Sequence, residues 1–226
     1  MTKGKLLLFI FILSLSSCGT AIKTLAGFKN PKVEEKEELV SFFAEVLPSQ
    51  KTYFMTVNEV GNKMDILNNI VLGLNSEILL FNSSTGEKYC YQGTEECGGI
   101  QMQNAFKNFD QNYFTCKDSS DLNLNSYLEK IIDVSGKRID KEELPKADYY
   151  IFQNWNKYSG SKKKLQEDVN WLLDLKKNSD LNVAIIFVNG DMLEEWGLEK
   201  NGKLPLKFRK ENGGFSMTFG ELPLKK

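Results

Sequence analysis

Histidine is absent from all 226 residues. Its absence removes serine–histidine and cysteine–histidine nucleophilic pairs, most zinc catalysis and any imidazole general base. An apolar run of membrane-spanning length, about 20 residues, is missing as well. The longest runs only from Leu6 to Leu13, with Leu15 beyond Ser14. No Walker A spacing and no G-x-G-x-x-G appear, so no phosphate-cradling loop is indicated. Charge of neither sign predominates: 29 Lys and Arg stand against 30 Asp and Glu, a net −1. That balance lacks the basic excess of a nucleic-acid-binding face. Acidic neighbours occur at Glu95 and Glu96, Glu142 and Glu143, and Glu194 and Glu195. A pair working on a glycosidic bond needs a defined separation in space, which adjacency in sequence does not supply. No catalytic residue, metal site or cofactor is assigned.

What is present begins at the N-terminus. Lys3 and Lys5 precede the apolar run, and small residues follow it, the pattern of a secretory signal peptide. The run ends in Leu15-Ser16-Ser17-Cys18. That tetrapeptide resembles the lipobox of bacterial lipoproteins, a resemblance confined to the first 18 residues. It implies cleavage after Ser17 and a diacylglyceryl group on Cys18. The alternative is an ordinary signal peptide with an incidental cysteine. Residues 1–17 are thus expected to be a signal peptide and 18–33 a lipidated N-terminus and tether. Losing Lys3 and Lys5 leaves 27 basic against 30 acidic residues, or −3. Several acyl chains, each methylene worth about 0.8 kcal/mol, hold a protein nearly permanently. Gly19, in place of aspartate, resembles the sorting signal of outer-membrane lipoproteins. The implied location is the cell envelope, with the outer membrane facing the periplasm favoured.

Hydrophobic residues at 41% suffice for a packed core, as a disordered stalk would not have. Residues 34–137 read as an α+β region. Leu39, Phe42, Phe43, Val46 and Leu47 space a helix after four glutamates, ending at Pro48. A strand follows at 51–57, then a helix at 59–74 with Val60, Met64, Leu67 and Val71 as its apolar face. Ile78 to Phe81 and Lys88 to Gln92 suggest a hairpin around Ser83-Ser84-Thr85-Gly86. Residues 93–114 show no period, and 122–134 again read as a helix.

The order is plainer over 138–226. A strand at 147–152, a helix at 162–177 capped by Ser161, and a strand at 183–188 make a parallel βαβ unit. Asp191 and Glu194 suggest a capping box for a short helix ending near Gly197. A hairpin closes the chain at 206–219 around Asn212-Gly213-Gly214. Trp155 lies just after the first strand and Pro205 just before the hairpin. This arrangement looks like the thioredoxin fold, whose Cys-x-x-Cys follows such a tryptophan and whose hairpin begins at a cis-proline. The expected class is therefore α/β, a thioredoxin-like C-terminal domain after a smaller α+β region. Asn156-Lys157-Tyr158-Ser159-Gly160-Ser161 contains no cysteine, so the family's redox centre is not carried over. Tyr149, Tyr150, Phe152, Trp155 and Tyr158 suit a core strand better than a binding groove.

Cys90, Cys97 and Cys116 remain after Cys18. In an oxidising compartment a disulfide is expected among them, with three pairings open. Cys90 with Cys97 closes a short glycine-containing loop, and Cys116 is the alternative partner. Two functions fit. One is a non-catalytic binding or assembly module, held to the membrane by lipid and partnered by another envelope protein. The other is a thiol–disulfide protein using Cys90, Cys97 and Cys116.

Overall fold

The computed structural model describes residues 29–74, 78–91, 106, 109–116, 122–158, 161–211 and 214–226. Leu15 to Cys18, Cys97, Gly93 and the turn residues Asn212 and Gly213 lie outside them. The class is α/β: a seven-stranded mixed sheet carries the helices, with a separate two-stranded ribbon.

Strands β1 (Thr52–Met55), β2 (Leu79–Asn82), β3 (Lys88–Tyr91), β4 (Tyr113–Thr115), β5 (Ile131–Ile132), β6 (Tyr149–Trp155) and β7 (Val183–Asn189) stand in the order β4-β3-β2-β6-β7-β1-β5. The three strands β6, β7 and β1 are parallel, whereas β2, β3 and β4 run antiparallel outward from β6. Covered on both faces, β6 and β7 are nearly continuously buried. Helix α5 (Lys162–Asn178) connects them, and its Ser161 N-cap accepts from the Lys164 N–H at 3.2 Å. Both sequence halves contribute to this sheet, so the expected boundary at 137/138 runs through it.

Helix α1 (Lys36–Val46) lies against one face, where Phe43 stacks on Trp155 with ring centroids 4.8 Å apart. Successive strand residues point to opposite faces. Asn154 accordingly reaches the other face, where the Tyr127 hydroxyl of α4 (Leu124–Leu128) donates to it at 2.8 Å. That hydroxyl is fully buried, and burial raises its pKa.

Several expectations change. The hairpin of β8 (Leu206–Glu211) and β9 (Gly214–Phe219) forms a sheet of its own, not paired with β6. The backbone edges of β6 are already occupied by β2 and β7, leaving no row for it. No cis peptide bond occurs among the described residues, Pro205 included. The helix expected over 122–134 stops at Leu128, because Ile131 and Ile132 pair with β1. In α2 (Lys63–Leu74) the buried face is Ile66, Asn69 and Ile70, while Val60, Met64 and Val71 are exposed. Within the stretch read as irregular, α3 (Phe109–Asn112) and β4 form around Phe106, Phe109 and Tyr113, which pack ring to ring.

Part of the segment expected to be a tether, 18–33, belongs to the body. Residues 31–33 pair with 202–204: the Val33 N–H donates to the Gly202 carbonyl at 2.8 Å and the Leu204 N–H to that of Pro31 at 2.9 Å. Val33 is buried, and its apolar side chain holds this strap in the body. The Lys29 N–H donates to the Tyr158 carbonyl at 2.7 Å, beyond the carboxyl end of β6.

Candidate functional site

Trp155 and the residues after it form the carboxyl edge of the parallel strands, the edge where open α/β sheets place ligands. The Trp155 ring is buried against Phe43 and donates through Nε1 to Thr52 Oγ1 at 2.9 Å. Asp191 is buried just past β7. The Lys157 N–H donates to both of its carboxylate oxygens at 3.1 and 2.9 Å, and Asn189 Nδ2 donates to one at 2.8 Å. Asp191 is therefore spent on the β6 loop and does not cap the following 3₁₀ turn (Glu194–Trp196), whose N-cap Leu193 makes no side-chain cap hydrogen bond. Burial pushes the Asp191 carboxyl up to about 7, with the Asn189 and Lys157 hydrogen bonds opposing. Lys157 Nζ reaches Glu34 at 2.9 Å and lies 5.7 Å from the Phe42 ring centroid. Tyr158 is buried and donates to the Ile70 carbonyl at 3.1 Å. These polar groups are mutually satisfied, so the edge is a joint. Pro205 is remote from Trp155 in role: its carbonyl accepts from the Gly220 N–H at 2.8 Å at the base of the ribbon.

A cleft of about 390 Å³ opens between α1, the start of β1 and the segment after β5. Val40, Phe43 and Ile139 give it apolar walls, and Tyr53, Asp133 and Glu143 supply polar groups. A hydrogen bond from the Ser135 hydroxyl holds Asp133 below the usual carboxylate range, and one from the Lys137 ammonium lowers Glu143. Partial burial, then the charges of Glu143 and Asp133, raise the Tyr53 hydroxyl. Gln50, Lys51 and Thr52 line it as well, so apolar walls and polar groups share a concavity large enough for a small molecule. None of its polar residues was singled out from sequence except Glu143, because they come from three separated segments.

Cys90 and Cys116 are joined by a disulfide, with Cα atoms 5.2 Å apart. Strands β3 and β4 are antiparallel with Cys90 opposite Phe114, which brings Cys116 beside Cys90 diagonally. Cys90 is thus taken by the alternative partner, and the expected Cys90–Cys97 loop gives way to it. Of the acidic neighbours, Glu95 and Glu96 lie outside the described residues; Glu143 meets Lys137 at 2.8 Å, and Glu194 and Glu195 separate, to Lys225 at 2.9 Å and Lys36 at 2.8 Å. No three metal-binding side chains cluster among the described residues. Nor is any described helix long and apolar enough to cross a membrane. Compared with family models, curated proteins and solved structures, the chain gives no significant match.

Proposed function

We propose that the chain is a lipid-anchored envelope protein whose body is a non-catalytic binding module. The cleft over Phe43 and Tyr53 carries this reading. It suits a small amphiphile, with an apolar body against Val40, Phe43 and Ile139 and a polar end among Tyr53, Asp133 and Glu143. Export and anchoring rest on Leu15-Ser16-Ser17-Cys18, and the Cys90–Cys116 disulfide supports an oxidising compartment. A thioredoxin-like reading of the body draws on the strand directions: β1, β7 and β6 parallel, then β2 and β3 antiparallel. In that reading the hairpin is supplied from ahead of the βαβ unit.

Native mass spectrometry of protein extracted from membranes tests both parts. The expected spectrum shows a chain starting at Cys18 with added acyl mass, and a small-molecule adduct. Ala44→Trp, which fills the cleft from α1, should lose the adduct and keep the acyl mass. An unmodified Cys18 would refute the anchor, and an adduct unaffected by Ala44→Trp would refute the cleft. The redox alternative is favoured only by the disulfide itself. Opening and closing of Cys90–Cys116 across mid-range glutathione buffers would support it.

A further inference from the structure

The strap and the ribbon create an arrangement that the binding cleft does not use. Lys32 pairs with Lys203 across an antiparallel bridge. The flanking hydrogen bonds, Val33 N–H to Gly202 and Leu204 N–H to Pro31, make it a non-hydrogen-bonded pair. In such pairs the Cα atoms approach to about 4.5 Å and the side chains are closest. Like charges placed opposite each other destabilise a sheet. Lys32 itself faces a recess shared with Glu34, Glu35, Glu38 and Glu194, of which Glu35 pairs with Lys200, whereas Lys203 stands outside that recess and is exposed. Further along, Lys207 and Arg209 share the ribbon face opposite buried Leu206, and both are exposed. Residues 203–211 carry four basic side chains (Lys203, Lys207, Arg209, Lys210) and one acid, Glu211, in a chain of net charge −1.

Position adds to charge. The Leu206 N–H donates to Asn30 Oδ1 at 3.1 Å, so the chain enters the body at the base of the ribbon. Only eleven residue steps separate Lys29 from Cys18, a reach of at most about 40 Å fully extended. A lipid on Cys18 would therefore keep the base of the ribbon within about that distance of the bilayer.

We propose that Lys203, Lys207 and Arg209 form a docking surface for the anionic lipid headgroups of the membrane that anchors the chain. This rests on the anchor reading and specifies which side of the body faces the lipid. Headgroup phosphates meet the exposed Lys203 side chain, and the Lys207–Arg209 face extends the contact.

The test is lysine acetylation footprinting of the full chain on saturating vesicles, of phosphatidylcholine alone or mixed with phosphatidylglycerol. Labelling of Lys203 and Lys207 should fall about fivefold on the anionic vesicles relative to the neutral ones. Lys146, exposed ahead of the amino end of β6, serves as the control and should not change. Equal labelling on both vesicle types overturns the proposal. So does the same protection produced by inorganic phosphate in detergent, which would identify an ion site instead. Intact mass of the same sample reads Cys18 separately, so a missing lipid would fail the anchor while the footprint still decides the docking surface.

Discussion

Replacing Asp191 with asparagine should change how stability depends on pH. The Asp191 carboxyl has an ordinary value near 3.8 and is raised to about 7 by burial in the folded protein. Between those values the folded chain holds a proton there and the unfolded chain does not. Stability is then fully present below the unfolded value and is lost as pH rises through the folded one. One unit corresponds to about 1.4 kcal/mol, so the whole window amounts to about 4 kcal/mol. Carboxylates with lowered values, Asp133 and Glu143 among them, act in the opposite direction and at lower pH. Asp168 is raised by burial, but it is common to both proteins and cancels in their difference. The substituted side chain would present an amide to the Lys157 N–H and the Asn189 amide, an offset that does not vary with pH. The slope is therefore the observable. Urea unfolding of both proteins from about pH 5 to about pH 8 should show wild type losing about 3 kcal/mol relative to Asp191→Asn. Parallel curves would refute the reasoning, since they would mean that Asp191 is ionised throughout and that its hydrogen bonds outweigh its burial.

Two further outcomes are expected from the packing. The disulfide spans a sequence separation of 26, so replacing Cys90 and Cys116 together by serine should lower the unfolding free energy by about 3.5 kcal/mol on the chain-entropy estimate; denaturant midpoints check this, and an unchanged midpoint would remove the disulfide from the stabilising contacts. On α2, Ile66→Ala or Ile70→Ala should cost about 2–5 kcal/mol because both side chains are fully buried. Met64→Ala, at a side chain 64% exposed, should stay within about 0.5 kcal/mol. Thermal unfolding of the three variants distinguishes this face from the one that the sequence pattern suggests.

That helix shows where periodicity runs out. Val60, Met64, Leu67 and Val71 make one helical stripe, and Ile66 and Ile70 begin another beside it. The second stripe wins although it includes Asn69, whose amide is satisfied by the Thr56 carbonyl at 2.8 Å. A polar residue on the buried face disguised it. The βαβ unit, by contrast, was legible because its signals agree: a Ser161 cap, an amphipathic α5 and two apolar strands. The place of the final hairpin was not legible, because strand pairing depends on which edges other segments have already taken. β2 reaches β6 from about seventy residues away, and local pattern carries no trace of that competition. Asp191 failed for a related reason. Its spacing to Glu194 suits a capping box, but the Lys157 N–H, brought across by β6, is the donor it meets. The cleft was out of reach of sequence for the same cause, since its walls converge only after the sheet has formed.

Lys157 joins these elements. It fastens the loop beyond β6 on two sides. Its backbone N–H is bound by Asp191 at the end of β7, and its ammonium by Glu34 on the strap at 2.9 Å, over the Phe42 ring. Lys157 is only partly exposed and Glu34 mostly buried, so the pair is less screened by water than a surface bridge. At the next residue the Tyr158 carbonyl receives Lys29, the first described residue of the strap. The edge at which many α/β proteins hold a ligand thus holds the protein's own N-terminal segment. Occupying that edge ties the strap, and any anchor ahead of it, to the central strands and not to a surface loop. The cleft beside β1, proposed as the ligand site, and the basic ribbon, proposed as the membrane contact, both lie away from that edge.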